Sequence, residues 1–538
     1  MLPAAMLLAV ALLGCGGIRP PLTCPAKGGA AWNELTSRHF VLQTDLAASE
    51  AREVLSRFEG LRATLAQVLP PAPVEPTERV EIVLFSRKKD YEELGSSARS
   101  TRAYFTTQLA ADLEPQPVLV LQSELANEGV STFLHELAHR FLRQRYADLP
   151  VWLNEGFAQF YSTLRVQEGT IRVGGRLRDL DFTELPYVWA SWYEDTYQVQ
   201  IPVMVAPSVR ELIDADTSAF YRGSREDGLS GEEAKKRSAY YGAAWKLVQL
   251  LMYGPDAGAR TRFQAFLAAL EHGARAKSAF HEAFGEADLD RLEQLFHAYL
   301  TEVRLDVGVK PYHVPVAAPP DREVVMSDAE VHLLWARLRP WNQAMAAAVE
   351  QEIEEARLGD PSSPEIHFRR ATFRLQRADF DGARRDLDFA LAARPEEPRY
   401  LYGLLLWSRW RAQLSRASGA PPPPTDEIAG RLARFASSPM QLDSLASRYA
   451  ALGRTSDAYA FAERAIALDP LCSACQDTYS LVLLQAGRLD QALAASRRAL
   501  SLVPEDRPSA REITAHGKRI EEARAALRAR TPAASPGP

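Results

Sequence analysis

The 538-residue chain carries 63 Lys and Arg against 69 Asp and Glu, a formal net charge of −6. Both signs are spread along it, which excludes the basic footprint of a nucleic-acid binder, so no nucleic-acid partner is expected. Four cysteines exclude a disulfide scaffold, and the length predicts two or three domains with ample room for a core.

The first fourteen residues contain one proline and no charged side chain, and they run into Leu12-Leu13-Gly14-Cys15. An apolar stretch this short suits a signal h-region better than a bilayer span, which needs about 20 residues. The segment resembles a bacterial lipobox, which implies a lipoprotein signal peptide over 1–14, cleavage after Gly14 and lipid on Cys15. The expected location is the cell envelope, outside the cytoplasm, with the membrane reached through that lipid. An ordinary secretory signal or a misassigned start codon are the alternatives. Residues 15–31, rich in Gly and Pro, read as a tether.

Val80-Glu81-Ile82-Val83-Leu84-Phe85 and Val118-Leu119-Val120-Leu121 read as strands. Val130, Leu134, Leu137 and Phe141 then recur at helical spacing, predicting a partly buried helix. That helix carries His135-Glu136-Leu137-Ala138-His139, an HExxH motif. Residues four apart share a helical face, so His135 and His139 can address one ion, with Glu136 beside it as base. The helix should stop before Asp148-Leu149-Pro150, because proline disfavours helix in the residue preceding it. A second helix then begins, on which Trp152, Glu155 and Gln159 share a face. Fifteen residues separate His139 from Glu155. A catalytic zinc keeps three protein ligands and one open position, and Glu155 is the natural third. One Zn2+ per chain is expected.

His135–His139 followed by Trp152-Leu153-Asn154-Glu155-Gly156-Phe157-Ala158 resembles the gluzincin metallopeptidases, in particular the peptidase MA-like family. The resemblance covers about half the chain. It implies an α+β thermolysin-like catalytic domain over 32–304, with His135, His139 and Glu155 as zinc ligands and Glu136 as the catalytic base. Arg38 to Asp45 matches the family's opening strand. The family also carries a tyrosine four residues before an aromatic on a later helix. That register selects Tyr241, ahead of Trp245, as oxyanion donor, with Tyr240 as fallback and plain packing as the other reading. The sequence departs from the family in two places. The gap between the zinc helices is shorter and the aminopeptidase Gly-x-Met-x-Asn motif is missing, so no aminopeptidase specificity carries over. Gln159 stands where an acidic residue usually orients a metal-bound histidine; its amide can accept an imidazole N–H but brings no charge. Ser224 to Arg237 reads as a solvated loop or helix start. His272, His281, His297 and His332 lack ligand-like spacing and read as structural or surface residues.

Residues 305–325, with Val316-Ala317-Ala318-Pro319-Pro320, read as an inter-domain linker. Beyond it Ala458, Ala465 and Pro470 recur as Ala492, Ala499 and Pro504, each shifted by 34, and Gly453 returns as Gly487. This is the tetratricopeptide pattern, which predicts an all-α solenoid over 326–528. Ala383, Ala390 and Pro395 mark an earlier, degenerate unit, followed by an insertion at Ser418-Gly419-Ala420 and four prolines. Cys472 and Cys475 read as small packing residues, with a local disulfide as the alternative. The tail, 529–538, reads as disordered. The combined expectation is a zinc metallopeptidase acting on a protein or peptide substrate, with a partner protein in the repeat groove. The alternative is a lipoprotein scaffold whose metal site is vestigial.

Overall fold

Short aliphatic runs build the first half of the molecule. The computed structural model describes residues 22–69, 79–94, 103–106, 113, 118–122, 130–146, 149–174, 206–215, 220, 231–300, 307–314, 319–339, 343–418, 423–503 and 508–530. The signal peptide, Cys15 and the tail from Thr531 lie outside the described residues. The strands are β1 (Asn33–Thr36), β2 (Phe40–Thr44), β3 (Val80–Phe85), β4 (Ala103–Thr106), β5 (Val118–Gln122), β6 (Arg165–Gln167), β7 (Thr170–Val173), β8 (Val307–Pro311) and β9 (Arg322–Val325). They form a six-stranded sheet in the order β4-β5-β3-β2-β1-β9 and a three-stranded sheet β6-β7-β8. The three strands expected from the sequence, β2, β3 and β5, are its parallel centre. β1, β4 and β9 flank them antiparallel. Central parallel strands are covered on both faces, which is why their sequences are almost continuously apolar.

The helices of this half are α1 (Ala48–Val68), α2 (Lys88–Glu92), α3 (Val130–Arg145), α4 (Val151–Ser162), α5 (Val209–Asp214), α6 (Gly231–Tyr253), α7 (Ala257–Glu271) and α8 (Ala276–Leu300). Alternation along the strands sends Phe40, Leu42, Ile82 and Leu84 into one core with Phe58, Phe133 and Leu134. Val83, Phe85, Val118 and Val120 point to the opposite face and meet Trp32, Leu334 and Trp335.

Two connecting segments are more ordered than their sequences suggest. The linker expected at 305–325 supplies β8, paired antiparallel with β7, and β9, paired antiparallel with β1. Strand β1 has an open edge once β2 is paired, and β9 satisfies its backbone groups. Nor are residues 22–31 a free tether. Cys24 is buried, Ala26 N–H donates to Asp328 at 3.1 Å, and Lys27 pairs with Glu355 at 3.0 Å.

The second half is a succession of helices: α9 (Asp328–Leu338), α10 (Ala346–Gly359), α11 (Pro364–Gln376), α12 (Phe380–Ala393), α13 (Pro398–Ser418), α14 (Thr425–Leu432), α15 (Pro439–Ala451), α16 (Thr455–Leu468), α17 (Ser473–Gln485), α18 (Leu489–Ser501) and α19 (Pro508–Arg530). They pack in pairs in the manner of a tetratricopeptide array. Ala383, Ala390, Ala458, Ala465, Ala492 and Ala499 are fully buried, because only a methyl fits where paired helices approach. Gly453 and Gly487 end α15 and α17 with φ of +73° and +72°, the left-handed turn that lets the next helix fold back. Cys472 and Cys475 are disulfide-bonded, which corrects their reading as plain packing residues. Cys472 caps α17, so the first turn of the helix brings the two Cα atoms to 5.2 Å. No helix among the described residues is long and apolar enough to cross a membrane.

Candidate metal centre

The motif helix α3 buries Phe133, Leu134, Leu137, Ala138 and Leu142 in the core beneath the sheet. One step around the helix, His135 and His139 keep 15% and 23% of their side chains exposed. The chain turns through Leu149 and Pro150, and Pro150 serves as the N-cap of α4. Trp152 anchors this second helix, stacked on Phe266 and edge-on to Phe280. Gly156 sets its distance from α6: a Cβ there would lie 2.6 Å from the Ala244 carbonyl oxygen. The packing that fixes α4 therefore sits one residue from the carboxylate it presents.

His135 Nε2 lies 3.1 Å from His139 Nε2 and 3.4 Å from Glu155 Oε2, and His139 Nε2 lies 3.7 Å from Glu155 Oε1. Four tetrahedral zinc ligands at about 2.1 Å stand about 3.4 Å apart, so the donor triangle fits a zinc ion. Among the described residues this is the one group of three His, Cys, Asp or Glu side chains close enough to share an ion. Glu155 is 3% exposed. A carboxylate so buried is stabilised by a cation held between it and the imidazoles. Burial and, less, the charge of Glu155 push the Glu136 carboxyl up to about 7, while His139 pulls it down.

Asn154, which the sequence reading passed over, accepts a hydrogen bond of 3.0 Å at Oδ1 from His139 Nδ1. An amide oxygen only accepts, so the proton is fixed on Nδ1 and the Nε2 lone pair faces Glu155. This is the outer support that the reading assigned to Gln159. Gln159 is buried one turn beyond Glu155 and hydrogen-bonds neither histidine. The signal was present in the sequence, since Asn154 directly precedes the ligand, but which imidazole it reaches depends on how α3 crosses α4.

Tyr241 lies on α6, one turn before Ala244, and is half-buried. Tyr240 and Tyr241 both sit edge-on to Phe220, with ring centroids 5.6 and 5.4 Å away. Trp245 and Val248 continue from Tyr241 into the core. The helix that carries the tyrosines thus packs directly on the helix that carries Glu155. Of the other histidines, His332 is buried against Glu352 at 2.7 Å and His272 caps α7.

No protein-family model and no curated protein matches the chain. Among solved structures it is similar to that of yeast Tom70, at 13% identity and a TM-score of 0.29, over 61% of this chain and 72% of that one. Nothing about this chain rests on a likeness that slight.

Proposed function

We propose that the chain is a zinc-dependent metallopeptidase of gluzincin type, held in the bacterial cell envelope by lipid on Cys15. Its helical repeats would recruit a protein partner or the substrate itself. The observation that carries this reading is the triangle of His135, His139 and Glu155 donors, 3.1 to 3.7 Å apart, with Glu136 adjoining it. The zinc these three residues would hold supplies a water of lowered pKa and polarises the scissile carbonyl.

The chain's own groups do the rest. Glu136 accepts the proton of the attacking water as its oxygen bonds to the carbonyl carbon. The same carboxyl delivers that proton to the amine as the C–N bond breaks. Tyr241, with Tyr240 as its fallback, would donate to the carbonyl oxygen as negative charge develops there. Asn154 keeps His139 in the tautomer that can ligate.

Gln159, in place of an acidic residue, supports the second reading, a lipoprotein scaffold with a vestigial centre. Two measurements separate them. Purified protein should carry about one zinc per chain and lose it in His139→Ala. It should cleave members of a peptide library, and Glu136→Gln should keep the zinc while losing at least about a hundredfold in rate. Zinc without cleavage in the wild type would leave the scaffold.

A further inference from the structure

A cavity of about 640 Å³ opens between the sheet and the repeats. That volume lies within the range of small-molecule sites, roughly 300–1,000 Å³. Its floor is the sheet face turned away from the metal centre. Val41, Gln43 and Glu81 line it, while their neighbours Leu42 and Ile82 point to the metal side. Its roof comes from α11 and α13, which contribute Phe368, Arg369, Arg399 and Tyr402.

Five guanidinium groups line this space, from Arg79, Arg322, Arg337, Arg369 and Arg399, against two carboxylates, Glu34 and Glu81. Each carboxylate is already engaged. Glu81 takes a bidentate pair from Arg337 at 2.8 and 3.0 Å, and Glu34 takes Arg322 at 3.1 Å. Behind the wall, Glu365 accepts from both Arg369 and Arg399. Glu397 accepts from Arg399 at 3.2 Å, and Asp321 lies 3.5 Å from the exposed Arg79. These acids stand outside the lining and hold the guanidiniums in place, so little side-chain freedom is left to lose on binding. Every cation in the lining is arginine, whose planar fork matches phosphate and carboxylate oxygens.

We infer that this cavity is a second ligand site, which binds a small organic anion carrying at least two anionic oxygen groups, phosphate or carboxylate. Phe368 and Tyr402 give the ligand's carbon skeleton an apolar wall. Burial, and then the charge of Arg399 beside it, lower the pKa of the Arg369 guanidinium to about 10.

The test is calorimetric titration of the full chain with citrate and with fructose 1,6-bisphosphate, at about 0.15 M salt to screen surface charge. One of the two should bind saturably at one per chain, and the tighter binder identifies carboxylate or phosphate as the recognised group. The His139→Ala protein should bind it equally well. Arg369→Gln/Arg399→Gln should weaken it at least tenfold, and Val41→Trp, which fills the cavity from the sheet side, should abolish it. If the double variant fails to fold, the Val41→Trp result decides. No binding of either probe overturns the inference. So does binding lost with His139, or binding that survives in the folded cavity variants.

Discussion

Asn154 Oδ1 lies 3.0 Å from His139 Nδ1, in the residue next to the carboxylate that faces the same imidazole's other nitrogen. One turn of α4 therefore supplies both a candidate ligand and the group that fixes the tautomer of another. Asn154→Ala should lower zinc affinity about ten- to a hundredfold, as loss of such supports does. Asn154→Asp, which restores an acceptor and adds charge, should recover it. Competition with a chelator of known affinity reads both, and an unchanged affinity in the alanine variant would remove Asn154 from this role.

Gly156 is the contact point of α4 and α6. A Cβ there meets the Ala244 carbonyl oxygen at 2.6 Å and Val248 Cγ2 at 2.7 Å, and a backbone carbonyl cannot step aside. Gly156→Ala should cost about 2 kcal/mol by overpacking and weaken zinc binding without touching a ligand. Gly60→Ala, in a helix with nothing near the new methyl, should instead stabilise by about 0.5–1 kcal/mol. Denaturant melts of the pair check this. Equal effects at the two sites would show that the helix contact is not tight.

The Glu81–Arg337 pair ties the sheet to the first helix of the second half. Burial pushes the Glu81 carboxyl up, but the charge and hydrogen bonds of Arg337 outweigh it and leave the pKa below its ordinary value. A depressed folded pKa means that the contribution is full above the unfolded value. It is lost as pH falls through the folded one. Glu81→Gln should therefore cost about 3 kcal/mol at neutral pH, since it removes the bidentate charge partner of a mostly buried guanidinium. Below about pH 4.3 the gap to wild type should narrow by about 1.4 kcal/mol per unit. A gap independent of pH would mean that the side chain acts through packing alone.

Ala378 ends α11 with φ of +60°, in the place that Gly453 and Gly487 hold after α15 and α17. A side chain costs about 1–2 kcal/mol in that region. Glycine repays part of this through its freer unfolded chain, so Ala378→Gly should stabilise by about 0.5–1 kcal/mol. A lower melting midpoint in the variant would contradict this.

Much of the architecture is legible locally. The strands at Val80 and Val118 and the motif helix follow from apolar spacing. The repeat units follow from small residues recurring at 34, where bulk cannot fit. The edge strands were not legible. β9 reads as linker because Arg322 to Val325 is short, half polar and mostly exposed, and its pairing with β1 joins residues nearly three hundred apart. The family resemblance pointed to Gln159 rather than Asn154, and neither it nor helical periodicity gives the angle at which a second helix crosses the first.

Periodicity within a turn, a strand or a repeat depends only on neighbours in the chain. That is why spacing alone set His135 and His139 on one face and repeated the helical pairs. Which carboxamide meets His139, which strand closes the sheet and where five arginines converge are contacts between distant segments. Only burial of the apolar faces, which drives those segments together, decides them.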